Sequence, residues 1–273
     1  MLGSLSSAVS GLDSFQTDMN VIGNNIANVN TDGFKAGTVD FADSFSNTLQ
    51  AASGATTSTG SSNAIQVGTG VNIDAINANW STGTLASSNP SDLAINGAGF
   101  FVVADPTSKT QYATQVGDFT LDSNGYLVTP DGYRVQGYMG ALGTSTTLTD
   151  IQIGNNSSTS YSVNGSGVVS MSVDGVSQVV GQIMLQNFQD PNALQNVGGN
   201  LFSNMTNAGP LAAVTAPGSN GLGSIKQGYA ELSNVDLSGE MANLITAQRG
   251  FEANSKVVTA SDEMLQTVVN MVH

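Results

Sequence analysis

The chain has 273 residues, 40% of them hydrophobic, with 20 acidic against 6 basic side chains, a formal net charge of -14 and no cysteine. That length can bury a sizeable core in one large domain or two smaller ones. The acidic balance works against nucleic-acid binding, and the missing cysteine excludes disulfides, a thiol nucleophile and thiolate metal sites.

Residues 2 to 29 place Leu2, Leu5, Val9, Leu12, Phe15, Met19, Ile22, Ile26 and Val29 at steps of three and four, which predicts a helix with one apolar stripe. Asn30-Thr31-Asp32-Gly33 supplies the stop, with Gly33 as the left-handed residue at the helix end. The start, Met1-Leu2-Gly3-Ser4, has no charged n-region, so no cleavable signal peptide is expected. No apolar run is long enough to span a membrane. From residue 34 to 75 the pattern weakens to a linker or extension. Phe41, Phe45 and Leu49 keep a weak helical period, and Ala51 to Asn63, built from small and polar residues, reads as a loop.

Residues 76 to 232 read as a β-rich domain. Asp92-Leu93-Ala94-Ile95-Asn96-Gly97 leads to Gly99-Phe100-Phe101-Val102-Val103, two short apolar runs around a glycine-marked turn. Asn124-Gly125 stands between Phe119-Thr120-Leu121 and Tyr126-Leu127-Val128, a type I′ hairpin signal because both central residues of that turn need positive φ. Asp131-Gly132 opens into Tyr133-Arg134-Val135-Gln136-Gly137-Tyr138, and Asp174-Gly175 separates Val169 to Val173 from Val176 to Val180. Hairpins at this spacing predict a mainly antiparallel β domain. Trp80 reads as a core anchor rather than a ligand platform.

Ser233-Asn234-Val235-Asp236 matches a capping box that opens a second helix, whose stripe is Leu237, Met241, Leu244, Phe251, Val258, Leu265 and Val272. Glu252 and Lys256 sit one turn apart in the order that supports a helix by about 0.2 to 0.5 kcal/mol. Gln248, Ser255 and Asp262 interrupt the seam at heptad spacing, and Ile245, Val257 and Val269 lie on its flanks. Gly3, Gly11, Gly23 and Gly250 fall inside the stripes and suit close helix packing. The predicted fold class is α+β: long terminal helices, 1–33 with 233–273, coiled-coil-like and enclosing the antiparallel β domain. Such helices pair with each other, bury their stripes against other copies of the chain, or do both.

Catalytic chemistry is hard to place. His273 is the single histidine and stands at the last position. Asp118, Asp122 and Asp131 cluster near hairpins, where aspartate is a favoured turn residue, and they lack a full calcium-loop pattern. No enzyme activity, cofactor or metal is expected.

Gly23-Asn24-Asn25-Ile26-Ala27-Asn28-Val29-Asn30-Thr31-Asp32-Gly33-Phe34-Lys35 resembles the N-terminal signature of the bacterial flagellar rod and hook proteins, and Ser233-Asn234-Val235-Asp236 resembles the opening of their C-terminal helix. Asp92 to Phe101 and Gly117-Asp118-Phe119 to Gly125 look like the β-domain core of that family. Gln248 to Ser255, Ser261-Asp262-Glu263-Met264-Leu265 and Tyr133 to Tyr138 look more like hook than rod, whereas the length is that of a distal rod protein. The resemblance implies a structural subunit, read first as a short flagellar hook protein and alternatively as a distal rod protein. It further implies a homo-polymeric tube walled inside by the terminal helices and located in the flagellum. Export by the flagellar type III apparatus without a cleaved signal peptide is implied too. So are contacts with adjoining rod and hook-filament junction proteins and with a hook cap during assembly. The fifteen stripe residues from Leu2 to Ile26 and from Leu237 to Val272 would be the subunit-packing residues.

Overall fold

The computed structural model describes residues 2–54, 60–140, 147–154, 160–173, 176–203, 205–211 and 214–271. Two helices and a mainly antiparallel set of strands form an α+β fold, and the chain divides into two compact units. One comprises residues 1–29, 36–79 and 235–273, the other residues 30–35 and 80–234.

The first unit contains α1 (Leu2–Ala27) and α2 (Leu237–Met271). At a rise of 1.5 Å per residue they are about 39 and 52 Å long. The cap of α2 differs from the capping box read at Ser233. Asp236 is the N-cap, its carboxylate accepting the Ser238 N–H at 3.1 Å and its carbonyl the Glu240 N–H at 2.9 Å. Likewise α1 ends at Ala27, before Asn30–Gly33, and the Asn28 N–H closes back on the Asn24 carbonyl at 3.1 Å.

The segment expected as a linker holds four strands: β1 (Gly37–Asp43), β2 (Ser46–Gln50), β3 (Ile65–Gly68) and β4 (Val71–Ala78). β1 pairs antiparallel with β4 from Gly37↔Ala78 to Asp43↔Val71, and β2 pairs with β3. The weak helical period of Phe41, Phe45 and Leu49 lost to alternation. Along β4, Val71, Ile73 and Ala75 are half-buried and the intervening residues exposed up to Ile76. Residues 55–59, the middle of the predicted Ala51–Asn63 loop, lie outside the described residues.

In the second unit β5 (Leu85–Ser87), β6 (Leu93–Asn96), β7 (Phe100–Ala104) and β8 (Gln111–Thr114) come first. The main sheet runs in the order 160–163, 168–173, 176–183, 134–139, β7, β8, 201–203, 195–198, with antiparallel neighbours throughout. β6 and β7 do not pair with each other across the glycine turn. β6 pairs instead with Ser224–Gln227, and β5 with Tyr229–Glu231.

The Asn124-Gly125 hairpin forms, with Leu127↔Leu121 and Val128↔Thr120. Its turn is not type I′. Gly125 alone of the pair takes positive φ, at 78°, and its N–H returns to the Asp122 carbonyl at 2.8 Å, so the glycine follows the turn as a bulge. Gly132 repeats the device at φ 87°, with its N–H on the Thr129 carbonyl at 2.9 Å. Asp174-Gly175 lies outside the described residues, although Val173 and Val176 pair directly on either side.

One face of the sheet buries Phe101 and Phe119, edge to face at 5.1 Å, with Leu93, Leu127, Val135, Ile151, Ile183 and Leu185. A second cluster holds Trp80 against Phe100 and Phe202, with ring centroids at 5.2 and 5.1 Å, and the indole N–H donates to Asn192 Oδ1 at 2.8 Å. Trp80 is a packing anchor.

The two ends of this unit are fastened by an internal ion pair. Lys35 Nζ lies 2.7 Å from Glu231 Oε1, and both side chains are 4% exposed. Lys35 also donates to the Ser81 carbonyl at 3.0 Å, and the Gly83 N–H to Glu231 Oε1 at 2.7 Å. Gly33, at φ 66°, donates its N–H to the Glu231 carbonyl at 2.6 Å, so its left-handed conformation serves this junction and not the helix end.

Candidate assembly surface

Within the first unit α1 and α2 pack antiparallel. A Cβ on Gly11 would lie 2.6 Å from Asn254 Nδ2, and one on Gly250 would lie 2.6 Å from the Phe15 ring. Each helix thus presents a glycine to a larger side chain of the other, four residues apart and in opposite directions. Gly3 and Gly23 have no atoms within 4 Å of where a Cβ would sit, so two of the four predicted packing glycines carry the approach.

The seam on α2 alternates large and small. Leu244, Phe251, Val258 and Leu265 are half-buried, and between them fall Ala247, Asn254 and Ser261 at steps of three and four. Ala247 and Ser261 are 2% exposed. Gln248, Ser255 and Asp262, expected to interrupt the seam, each sit one residue beyond it, Gln248 and Asp262 exposed and Ser255 half-buried. Glu252 accepts from Arg249 at 3.4 Å instead of pairing with Lys256.

The other face of α1 receives the β1–β4 ribbon. Asn25, 1% exposed, holds both main-chain groups of Gly37: its Nδ2 donates to the Gly37 carbonyl at 2.8 Å and its Oδ1 accepts the Gly37 N–H at 2.9 Å. Ser10 Oγ accepts the Val71 N–H at 3.3 Å, and the Phe15 and Phe41 rings stand 6.0 Å apart. A pocket of about 330 Å³ remains where α1, β1 and α2 meet. Phe15, Ile22 and Phe41 form apolar wall, and Asp18 and Glu240 are the carboxylates among its lining side chains. Burial pushes the Asp18 carboxyl above the ordinary aspartate range.

The predicted stripe residues are divided by this arrangement. Ile22 is buried, and Leu5, Leu12, Phe15, Met19, Ile26, Leu244, Phe251, Val258 and Leu265 are half-buried. Val9, Leu237 and Met241 are exposed, as are the flanking Ile245, Val257 and Val269. The Leu2 side chain and Val272 lie outside the described residues, as does His273. On the ribbon Phe45, Leu49, Ile65 and Val67 are exposed as well. Among the described residues no helix is long and apolar enough to cross a membrane. Sequence reasoning missed Asn25, Ala247, Asn254, Ser261 and Glu231. Heptad spacing from Ile22 and Leu244 was the available signal for the first four.

In the second unit three carboxylates illustrate local electrostatics. Asp122 is held low by the N–H and hydroxyl of Ser123 in its own turn. Asp118 is raised, first by burial and then by the neighbouring Asp92 and Asp32 charges. Asp150 pays for burial but is held below the usual range by hydrogen bonds from Arg134 and Gln136 and by the Lys109 charge.

Three family models match the chain: "Flagella basal body rod protein" over residues 5–35, "Flagellar hook protein FlgE/F/G D1 domain" over 94–171 and "Flagellar basal body rod FlgEFG protein C-terminal" over 226–271. The flagellar basal-body rod protein FlgG of Bacillus subtilis is 43% identical over 273 residues, spanning 99% of each chain. The protein of that name from Caulobacter vibrioides is 39% identical over 267 residues, 96% of each chain. The flagellar hook protein FlgE of Borreliella burgdorferi is 26% identical, in an alignment of 443 residues that covers 99% of this chain and all of that protein.

Proposed function

This chain belongs to the flagellar hook and basal-body rod family, whose members are structural proteins, and on that premise we propose that it is a distal rod subunit of the basal body. The observation that carries this reading is collinearity. The rod proteins match it end to end at nearly equal length, whereas the hook protein needs 443 aligned positions to accommodate 273 residues. The hook reading drawn from the short motifs at Tyr133–Tyr138 and Gln248–Ser255 therefore gives way to its alternative.

The mechanism is self-assembly. A paired helix unit that leaves Leu237, Met241, Ile245, Val257 and Val269 in water has apolar surface to bury, and copies of the same chain supply the partner. A head-to-tail contact that does not close into a ring yields a helical filament. The thirteen described stripe residues act as packing residues in two ways, the buried and half-buried ones within the subunit and the exposed ones between subunits. Export occurs through the flagellar apparatus, and the neighbours along the axis are other rod proteins on one side and hook proteins on the other.

Electron microscopy of basal bodies from a strain lacking this gene tests the assignment. A rod that stops short is the expected result. A complete rod without a hook would return the hook reading, and intact motile flagella would overturn both.

A further inference from the structure

The pocket bounded by α1, β1 and α2 has an apolar wall and acidic lining groups, Asp18 and Glu240. Its ligand must bring an apolar group beside a cation. In the sequence of this unit the basic residues are Arg249 and Lys256, both on α2. Ile245, Arg249, Glu252 and Lys256 follow one another at steps of four, three and four, which places them along one face of the helix. Ile245 is 58% exposed and the Arg249 side chain 78%. The contact of Arg249 with Glu252, at 3.4 Å, is an exposed surface pair of the kind that contributes little to stability, so exchange for a better partner costs little.

We propose that this pocket receives the Ile245–Arg249 face of α2 from a second copy of the chain, Ile245 against Phe15, Ile22 and Phe41, and Arg249 toward Asp18 and Glu240. The proposal rests on the self-assembly reading above and names its contact. The donor has to be another copy. At about 100° per residue Ile245 lies some 160° round the helix from Ala247, which lines the pocket, and Arg249 is drawn to Glu252 on the outer side, so Ile245 and Arg249 cannot enter the cavity of their own subunit together. Pocket and stripe are different surfaces of one unit, which makes the contact heterologous and propagating. The desolvated Asp18 gains a counter-charge, and an apolar side chain that stands in water gains cover.

Because the chain has no cysteine, the test is direct. Full-length Asp18→Cys and Arg249→Cys proteins are mixed, polymerised, and treated with a short bis-maleimide. Covalent dimers are expected in the mixture and not in either protein alone, nor when Thr259→Cys, about 15 Å further along α2, replaces Arg249→Cys. Charge reversal provides a second readout: Asp18→Arg and Arg249→Asp each lower pelletable polymer tenfold or more, and the double reversal recovers it. Polymers that form without the cross-link, or single reversals that polymerise like the parent, overturn the pocket assignment and leave self-assembly standing. A parent protein that never polymerises overturns both.

Discussion

Lys35 Nζ and Glu231 Oε1 are 2.7 Å apart and 196 positions apart in sequence, and neither side chain reaches solvent to any extent. Removing one partner strands the other charge. Glu231→Ala is therefore expected to destabilise the protein by about 3 to 5 kcal/mol. A Lys35→Met/Glu231→Leu double variant, which removes both charges, is expected to lose less than either single change. Chemical denaturation of the parent, Lys35→Met, Glu231→Leu and the double variant closes a double-mutant cycle that checks this, with Glu231→Ala measured beside them.

The helix pair makes opposite forecasts for two glycines. Gly250→Ala puts a methyl 2.6 Å from the Phe15 ring and is expected to cost about 1 to 3 kcal/mol by overpacking. Gly23→Ala meets nothing within 4 Å and is expected to gain up to about 1 kcal/mol by helix propensity. Thermal melts followed at 222 nm separate the two.

Leu237 and Met241 are exposed in the subunit, so Leu237→Ser with Met241→Ser is expected to leave subunit stability within about 0.5 kcal/mol of the parent. Polymer yield should fall sharply at the same time. Unchanged polymerisation would remove these residues from the assembly surface.

Two aspartates give pH signatures of opposite sign. Asp118 has its folded-state pKa raised, by burial first and then by Asp92 and Asp32, so its ionised form costs stability at neutral pH. Asp118→Asn is expected to raise the melting temperature at pH 7, and the gain should vanish as the pH falls through its raised folded-state pKa and the parent carboxyl takes up its proton. Asp150 is depressed, despite burial, by Arg134, Gln136 and Lys109. Its contribution is present above the ordinary aspartate pKa and is lost as the pH falls through the depressed value, so Asp150→Asn should destabilise at pH 7 and become neutral in strong acid.

How far the sequence reveals this protein depends on side-chain size. The large half of the α2 seam, Leu244, Phe251, Val258 and Leu265, announces itself by apolar spacing. The other half is Ala247, Asn254 and Ser261, small or polar residues whose burial only the close approach at Gly11 and Gly250 explains. Asn25 likewise reads as a surface residue until β1 is placed against α1, where its amide replaces a strand partner for Gly37.

Among the strands, local turns were legible and distant partners were not. Asn124-Gly125 located its hairpin correctly, though Asp122 and Gly125 define the turn. Nothing in Leu93–Asn96 tells that it pairs with Ser224–Gln227, because alternation along a strand specifies a face and not a neighbour. The strands within 34–75, read from sequence as a linker or extension, were hidden for a related reason. Three residues at helical spacing, Phe41, Phe45 and Leu49, are outweighed by β-branched alternation once β1 finds β4.

The junction at Lys35 and Glu231 also bears on the order in which the chain folds. Alone, Gly11 and Asn254 close a loop of more than two hundred residues, a slow event because the whole intervening chain must first be drawn together. Once the β unit has formed, residues 35 and 231 are held side by side, and the chain separating α1 from α2 shrinks in effect to the few residues at each root, 28–34 and 232–236. The helices then zip from neighbouring ends. A subunit built this way completes its helix pair last, after the β unit that draws the two roots together is in place.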